Sequence, residues 1–215
     1  EIERCLVDYG RRFLDTLAEK QVVIDGKKLR GTSPKLKGTK GDYLMNAYVS
    51  ENHIMIGQLR LKDKENEITA IPQVIDKLDI EGAVVSIDAI GTQVNIAQRI
   101  LDKNGHYFLA VKENQGSLNE QIIDAFRYNK PIDTATQMEA DHGRIETHDC
   151  RILDVSAIED KEVSQRWHGL KTLVEITSTV DYGDHTATTV RRYISDEDFP
   201  KAAYFNMLAR GHWSI

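Results

Sequence analysis

Hydrophobic positions switch between two periods along the chain. The opening segment, EIERCLVDYGRRFLDTLAEK, sets Leu6, Phe13, Leu14 and Leu17 on one face of a helix. Gln21–Asp25 (QVVID) is a β-branched run that closes on an acid before Gly26. Tyr43–Ser50 and His53–Lys62 read as two strands, with Glu51-Asn52 as a tight hairpin turn between them. Glu67–Leu78 returns to helical spacing, and Pro72 in its early part marks where the first turn begins. Ala83–Ile90 is an apolar strand that carries a single acid, Asp88. A helix over Thr92–Lys103, a strand over His106–Lys112 and a helix over Ser117–Tyr128 follow. From residue 21 to 128 the predicted order is therefore β-β-β-α-β-α-β-α.

The character then changes. Residues 129 to 150 look irregular, and strand-like runs follow at Asp149–Val155, Lys171–Thr179 and Thr186–Ile194. Phe199–Gly211 closes the chain as a helix. The expected organisation is an N-terminal helix over 1–20, an α/β core over 21–128, a β-rich insertion over 129–198 and a C-terminal helix over 199–215 that returns to the core. No internal repeat or low-complexity tract is present.

Composition changes this picture little. The chain has 215 residues, 40% of them hydrophobic and 29% charged. No apolar run reaches bilayer-spanning length and no signal-peptide shape opens the chain, so it reads as soluble, cytoplasmic and without a membrane partner. Two cysteines, Cys5 and Cys150, lie far apart and outside any C-x-x-C pattern, which gives no support to a structural zinc site or disulfide framework. Charge matters more. The net value of −6 argues against a nucleic-acid binder unless the basic residues cluster. They do cluster: residues 26–41, GKKLRGTSPKLKGTKG, hold six Lys or Arg and no acid. Such a run is either a solvated loop or a phosphate-facing one.

Asp25 and Asp88 carry the candidate chemistry. An ionised acid in a buried strand is costly without a compensating partner, and a divalent metal is one such partner. Two metals held by carboxylates stabilise the attacking and the leaving oxygen of a phosphoryl displacement. The bland alternative is that Asp25 starts an Asp-Gly turn and Asp88 caps the helix after it. A three-stranded meander followed by helix, strand, helix, strand is also the ribonuclease-H-like order. In that order the first and fourth strands are neighbours, which would bring Asp25 and Asp88 together.

The ordered motifs VIDGKKLRGT, KENEITAIPQVIDKLDIEGAVVSIDAIGTQ, YFLAVKENQGSL, HGRIE, RRYIS and R-x-HWSI resemble the insertion-sequence transposases that include the H-repeat-associated (Rhs-linked) proteins. The resemblance runs from about residue 20 to the last residue. It implies a ribonuclease-H-like mixed sheet flanked by helices, with a β-rich insertion before the C-terminal helix. The implied activity is DDE-type cleavage and rejoining of double-stranded DNA at element ends and target. The implied cofactor is Mg²⁺ or Mn²⁺, and synapsis of two ends implies a homodimer on the bacterial nucleoid. Asp25 of the IDGK motif and Asp88 of the DAIGTQ motif match the first two catalytic and metal-binding acids. The third is a Glu in a segment of the form HW-x-IE, which falls at position 216. On this reading the 215-residue chain alone binds metal poorly and does not transpose. Two alternatives stand beside it: a ribonuclease-H-like nuclease that cuts without joining, and an inactive or domesticated fragment that only binds DNA. A Rossmann-type nucleotide enzyme is excluded by the lack of G-x-G-x-x-G after the first strand.

Further residues are candidates for DNA contact. Lys27, Lys28 and Arg30 follow Asp25 at the mouth of the site. Lys112, Asn114 and Gln115 follow the strand expected beside Asp88, as phosphate and backbone partners or as a polar strand-end turn. His142 and Arg144 sit in the HGRIE motif, where Arg144 would clamp a phosphate or simply pair within its own loop. Glu146 is the fallback third acid. His212 is a possible phosphate contact on the last helix. Glu67 is read as a first-turn helix residue behind an Asn66 cap, with a place beside the metal site left open.

Overall fold

In the computed structural model the described residues are Cys5, Asp8, 16–29, 43–61, 66–141, 144–198 and 201–213. The expected opening helix, Arg30 with the rest of the basic loop, and His142 lie outside them, apart from isolated positions.

The strands are β1 (Gln21–Lys28), β2 (Tyr43–Val49), β3 (Ile54–Arg60), β4 (Val84–Ile87), β5 (His106–Val111), β6 (Asp133–Asp141), β7 (Arg144–Asp154), β8 (Thr172–Asp181) and β9 (Thr186–Ser195). They form one nine-stranded sheet in the order β3-β2-β1-β4-β5-β9-β8-β7-β6. β1 runs antiparallel to β2 and parallel to β4, and β4 runs parallel to β5. This is the ribonuclease-H-like arrangement: a meander followed by two parallel crossovers. Parallel strands buried on both faces need continuous apolar runs. Val22, Val23 and Ile24 of β1, all of β4, and Tyr107, Phe108 and Leu109 of β5 supply them.

Helices cover both faces. α1 (Glu67–Lys77), α2 (Val94–Leu101) and α3 (Gly116–Tyr128) pack their apolar stripes, including Ile71, Ile75, Ile96, Ile100, Ile122 and Phe126, against the face carrying Val22, Ile24, Val85 and Ile87. The short α4 (Lys161–Gln165), which sequence periodicity did not reveal, adds Val163 to the same core. α5 (Ala202–Trp213) covers the opposite face, where Phe205 and Leu208 meet Val84, Phe108, Val174 and Tyr193. Phe108 and Tyr193 stack with centroids 4.5 Å apart, joining β5 to β9.

Three expectations are corrected. Residues 129–150 are not irregular, since β6 and most of β7 lie there and complete a continuous antiparallel extension of the sheet. β6 is an edge strand of polar residues with Met138 exposed, so a buried face leaves little alternation to read. Pro72 does not mark the first turn of α1. The helix starts at Glu67 because Asn66 Oδ1 accepts from Thr69 N at 3.0 Å and Thr69 Oγ1 accepts from Asn66 N at 3.1 Å. β1 also continues through Gly26 to Lys28 rather than ending at Asp25.

Candidate active site

Asp25 and Asp88 stand at the carboxyl ends of adjacent parallel strands. The register pairs Val23 with Ser86 and Ile24 with Ile87, so the next step along both strands puts Asp25 beside Asp88. By alternation both lie on the face that α5 covers, with Gln21, Val84 and Ser86 behind them. Asp25 is therefore not a turn residue. Asp88 does cap, but its cap closes a 3₁₀ turn over Ala89–Gly91, with Oδ1 accepting from Gly91 N at 3.4 Å.

The acids repel one another. Burial raises the Asp25 carboxyl above its ordinary value and Asp88 raises it further, against opposing effects of the Gly26 backbone N–H and Lys27. Glu67, at the first position of α1, joins them: burial, then Asp88, then Asp25 raise its carboxyl. Tyr43 donates a hydrogen bond to Glu67 Oε1. This pairing needs Gly26 to have no side chain, because a Cβ there would lie 2.7 Å from the Tyr43 ring and 2.9 Å from Glu67 Oε1. Sequence reading placed Glu67 as a helix-start residue, which it is; its position at the acid pair depends on tertiary contacts that local pattern does not encode.

A divalent cation fits this donor set. Asp25 and Glu67, whose ionisation is opposed first by burial and then by the neighbouring Asp88, are relieved by a cation, and Mg²⁺ needs only one or two protein carboxylates because it keeps several waters. Among the described residues no group of three or more His, Cys, Asp or Glu closes into a full ligand set.

An open groove of about 640 Å³ leads away from Asp88 between the ends of β5, β9 and α5. Lys112, exposed, lies along it, as do Arg191, Ile90, Val190 and Trp213. The Arg191 guanidinium sits 4.6 Å from the Trp213 ring centroid and donates to Ser178 Oγ at 3.4 Å. Arg191 was not singled out from sequence, although the RRYIS motif contains it; Trp213 is 55% exposed in this groove. Asn114 and Gln115 are bonded to the backbone near Asp88. Asn114 Nδ2 donates to Ala89 O at 2.5 Å and Gln115 Nε2 to Thr92 O at 2.8 Å, so both brace the turn that carries Asp88.

His212 reaches the same site from α5. It is 7% exposed and hydrogen-bonded through Nδ1 to Ser86 Oγ at 3.2 Å. Burial drives its pKa down to about 4, against a smaller opposing effect of Asp88, so the imidazole is neutral at pH 7. Lys27 and Lys28 are exposed on the last residues of β1.

Arg144 and Glu146 of the HGRIE motif are not brought to the acids. Glu146 is on β7, separated from β4 by β5, β9 and β8, and it pairs with Arg144 at 2.6 Å. His148 on the same strand accepts from Arg210 through Nε2 at 2.7 Å. Arg144 and Glu146 thus form an ion pair of the β6–β7 hairpin, remote from Asp25 and Asp88. No helix of the described residues is long and apolar enough to cross a membrane.

Comparison with known proteins identifies the family. Residues 17–215 match the family described as Transposase DDE domain. The chain is 36% identical over 220 residues to "Putative transposase YncI" of Escherichia coli O157:H7, covering 99% of this chain and 56% of that protein. It is 32% identical over 225 residues to "H repeat-associated putative transposase YhhI" of E. coli K12, covering 100% of this chain and 58% of that protein. The chain thus spans little more than half the length of these relatives. Among solved structures, a piggyBac transposase synaptic complex with hairpin DNA aligns over 91% of this chain and 39% of that one, with a TM-score of 0.47 and 11% identity. With a match over nearly its whole length, the chain belongs to the DDE-domain transposase family.

Proposed function

We propose that this chain forms the catalytic core of a transposase that cuts DNA at insertion-sequence ends and joins it to target DNA, using Mg²⁺ or Mn²⁺. The observation that carries this reading is the placement of Asp25 and Asp88 side by side at the carboxyl ends of β1 and β4, at the head of a groove lined by Lys112 and Arg191. A divalent cation held there supplies charge stabilisation for the attacking and leaving oxygens of a phosphoryl displacement. The chain's own residues hold and orient. Asp25 and Asp88 are the ligands, and Asn114 and Gln115 fix the turn that aims Asp88. Lys27, Lys28, Lys112 and Arg191 neutralise DNA phosphates around the pair. No covalent intermediate on the protein is required, which suits a site with acids and cations and no activated Ser or Cys.

The resemblance expects the third acid in the HW-x-IE pattern, which begins at His212 of α5; His212 is hydrogen-bonded to Ser86, two residues before Asp88. The double-stranded DNA partner, comprising two element ends and a target, implies a homodimer during synapsis.

The test is cleavage and strand transfer by the full-length protein on element-end DNA with Mg²⁺ or Mn²⁺. Asp25→Asn and Asp88→Asn are expected to abolish both steps with folding nearly unchanged. Retained cleavage in either variant would sink the assignment, and cleavage without joining would make the protein a nuclease.

A further inference from the structure

Behind the acid pair runs a buried chain of polar side chains that catalysis by carboxylates does not by itself require. Gln21, Ser86 and His212 are 2%, 1% and 7% exposed. Gln21 Nε2 donates to Leu208 O of α5 at 2.6 Å and to Ser86 Oγ at 2.9 Å, and Ser86 Oγ meets His212 Nδ1 at 3.2 Å. The direction of these bonds is determined by elimination. A backbone carbonyl can only accept, so the Gln21 amide must present its NH₂ to Leu208 and hence to Ser86. Ser86 Oγ therefore accepts from Gln21, and its own proton needs an acceptor. At 1% exposure a hydroxyl without one costs about 1–3 kcal/mol. His212 Nδ1 is the remaining partner within reach, so Nδ1 accepts and the ring proton sits on Nε2.

We infer that Ser86, held by Gln21, locks His212 in the Nε2–H tautomer, making it a neutral hydrogen-bond donor that faces the groove beside Asp88 and contacts a non-bridging phosphate oxygen of bound DNA. Among the described residues Nε2 has no hydrogen-bond partner, and His212 lines the groove together with Asp88 and Lys112. His212 is thus a positioning contact of a different kind from Lys112: it fixes a phosphate without adding charge beside the carboxylates that would hold a cation. The close approach of α5 that brings His212 to Ser86 depends on its neighbour Gly211, where a Cβ would lie 2.6 Å from Ser50 Oγ and closer still to Gln21 Oε1. The phosphate contact rests on the transposase reading; the tautomer does not.

Two measurements test it. Long-range ¹H–¹⁵N correlation spectra of the ¹⁵N-histidine-labelled chain, without DNA or metal, report which ring nitrogen of His212 carries the proton. The expected result is a proton on Nε2 in the native chain and a mixed population in Ser86→Ala. A proton on Nδ1, or an unchanged pattern in Ser86→Ala, overturns the lock even if DNA cleavage is later demonstrated. The second measurement is the salt dependence of duplex DNA binding. His212→Asn, which keeps an acceptor near Nδ1 and loses the Nε2 donor, should weaken binding about fivefold with the slope of log K against log salt unchanged, since a neutral bond of about 1 kcal/mol is lost and no counterion is involved. His212→Gln, which keeps a donor near Nε2, should restore most of the affinity. Lys112→Gln should instead flatten the slope by about 0.9. A slope change in His212→Asn, or no rescue by His212→Gln, overturns the neutral contact, and failure of every form to bind DNA overturns the phosphate assignment while leaving the tautomer result standing.

Discussion

Gly211→Ala puts the docking of α5 to a direct test. In a free helix this change is favourable by about 1 kcal/mol, because alanine loses less backbone entropy than glycine. Here the added methyl would stand 2.6 Å from Ser50 Oγ and closer to Gln21 Oε1, against the 3.4 Å of ordinary contact, so α5 must move by more than 3.4 − 2.6 ≈ 0.8 Å, or Ser50 must turn aside and Gln21 leave its place. Overpacking of a filled site costs about 1–3 kcal/mol. Displacing Gln21 also breaks its bonds to Leu208 O and Ser86 Oγ, each contributing about 1 kcal/mol. Set against the helix gain, the net expectation is a loss of about 2 kcal/mol. For a domain of this size that lowers Tm by about 4–8 °C. Gly116→Ala at the start of α3 is the control, since nothing lies within 4 Å of its Cβ and only the helix gain remains. Differential scanning calorimetry of the three proteins decides the matter. A Gly211→Ala Tm equal to or above that of the native chain would refute the close-packed geometry of α5 against β1.

Other consequences are open to measurement. His212 has its folded-state pKa depressed from 6.5 to about 4, so its contribution is fully present above pH 6.5 and is lost as pH falls toward 4, up to about 3 kcal/mol across that window. Burial depresses His148 too, in the same direction, so urea titrations of native and His212→Asn chains at pH 7 and pH 4.5 should differ in their pH sensitivity but both retain some. Asp25 and Glu67 have raised carboxyl pKa values, so their ionisation opposes folding as pH rises through the shifted values; Mn²⁺ should raise the Tm of the full-length native protein and fail to raise that of Asp25→Asn, as read by thermal shift. On the opposite face, Glu175 is 4% exposed and held by Arg151 at 3.0 Å and Arg192 at 2.9 Å, so Arg192→Met should cost about 2 kcal/mol in chemical denaturation by leaving the carboxylate half paired.

Much of this was legible in the sequence where one face of an element is uniformly buried. The continuous apolar runs of β1, β4 and β5 named themselves, and the meander order predicted the β1–β4 adjacency that joins Asp25 to Asp88. Legibility failed where burial is one-sided or polar. β6 reads DTATQMEAD and has no apolar face to announce it, and Pro72 misplaced the first turn of α1, whose start the Asn66 cap marked correctly. The site was legible as acids on strands, and only partly as a neighbourhood. Glu67 reaches the acid pair, and Arg191 and Trp213 the groove, through helix and strand packing from distant parts of the chain, and Asn114 and Gln115 turn back onto the Asp88 turn. Within the HGRIE motif, Arg144 and Glu146 lie on β7 and pair with each other, four strands on from β4, a placement that sequence spacing does not reveal.

The central claim is that Asp25 and Asp88 share a divalent cation. Anomalous diffraction from a crystal of the full-length protein soaked in Mn²⁺ tests it most directly. The expected result is a Mn²⁺ peak bridging the two carboxylates on the face that α5 covers. A peak elsewhere, or Asp25 and Asp88 facing opposite sides of the sheet, would contradict it.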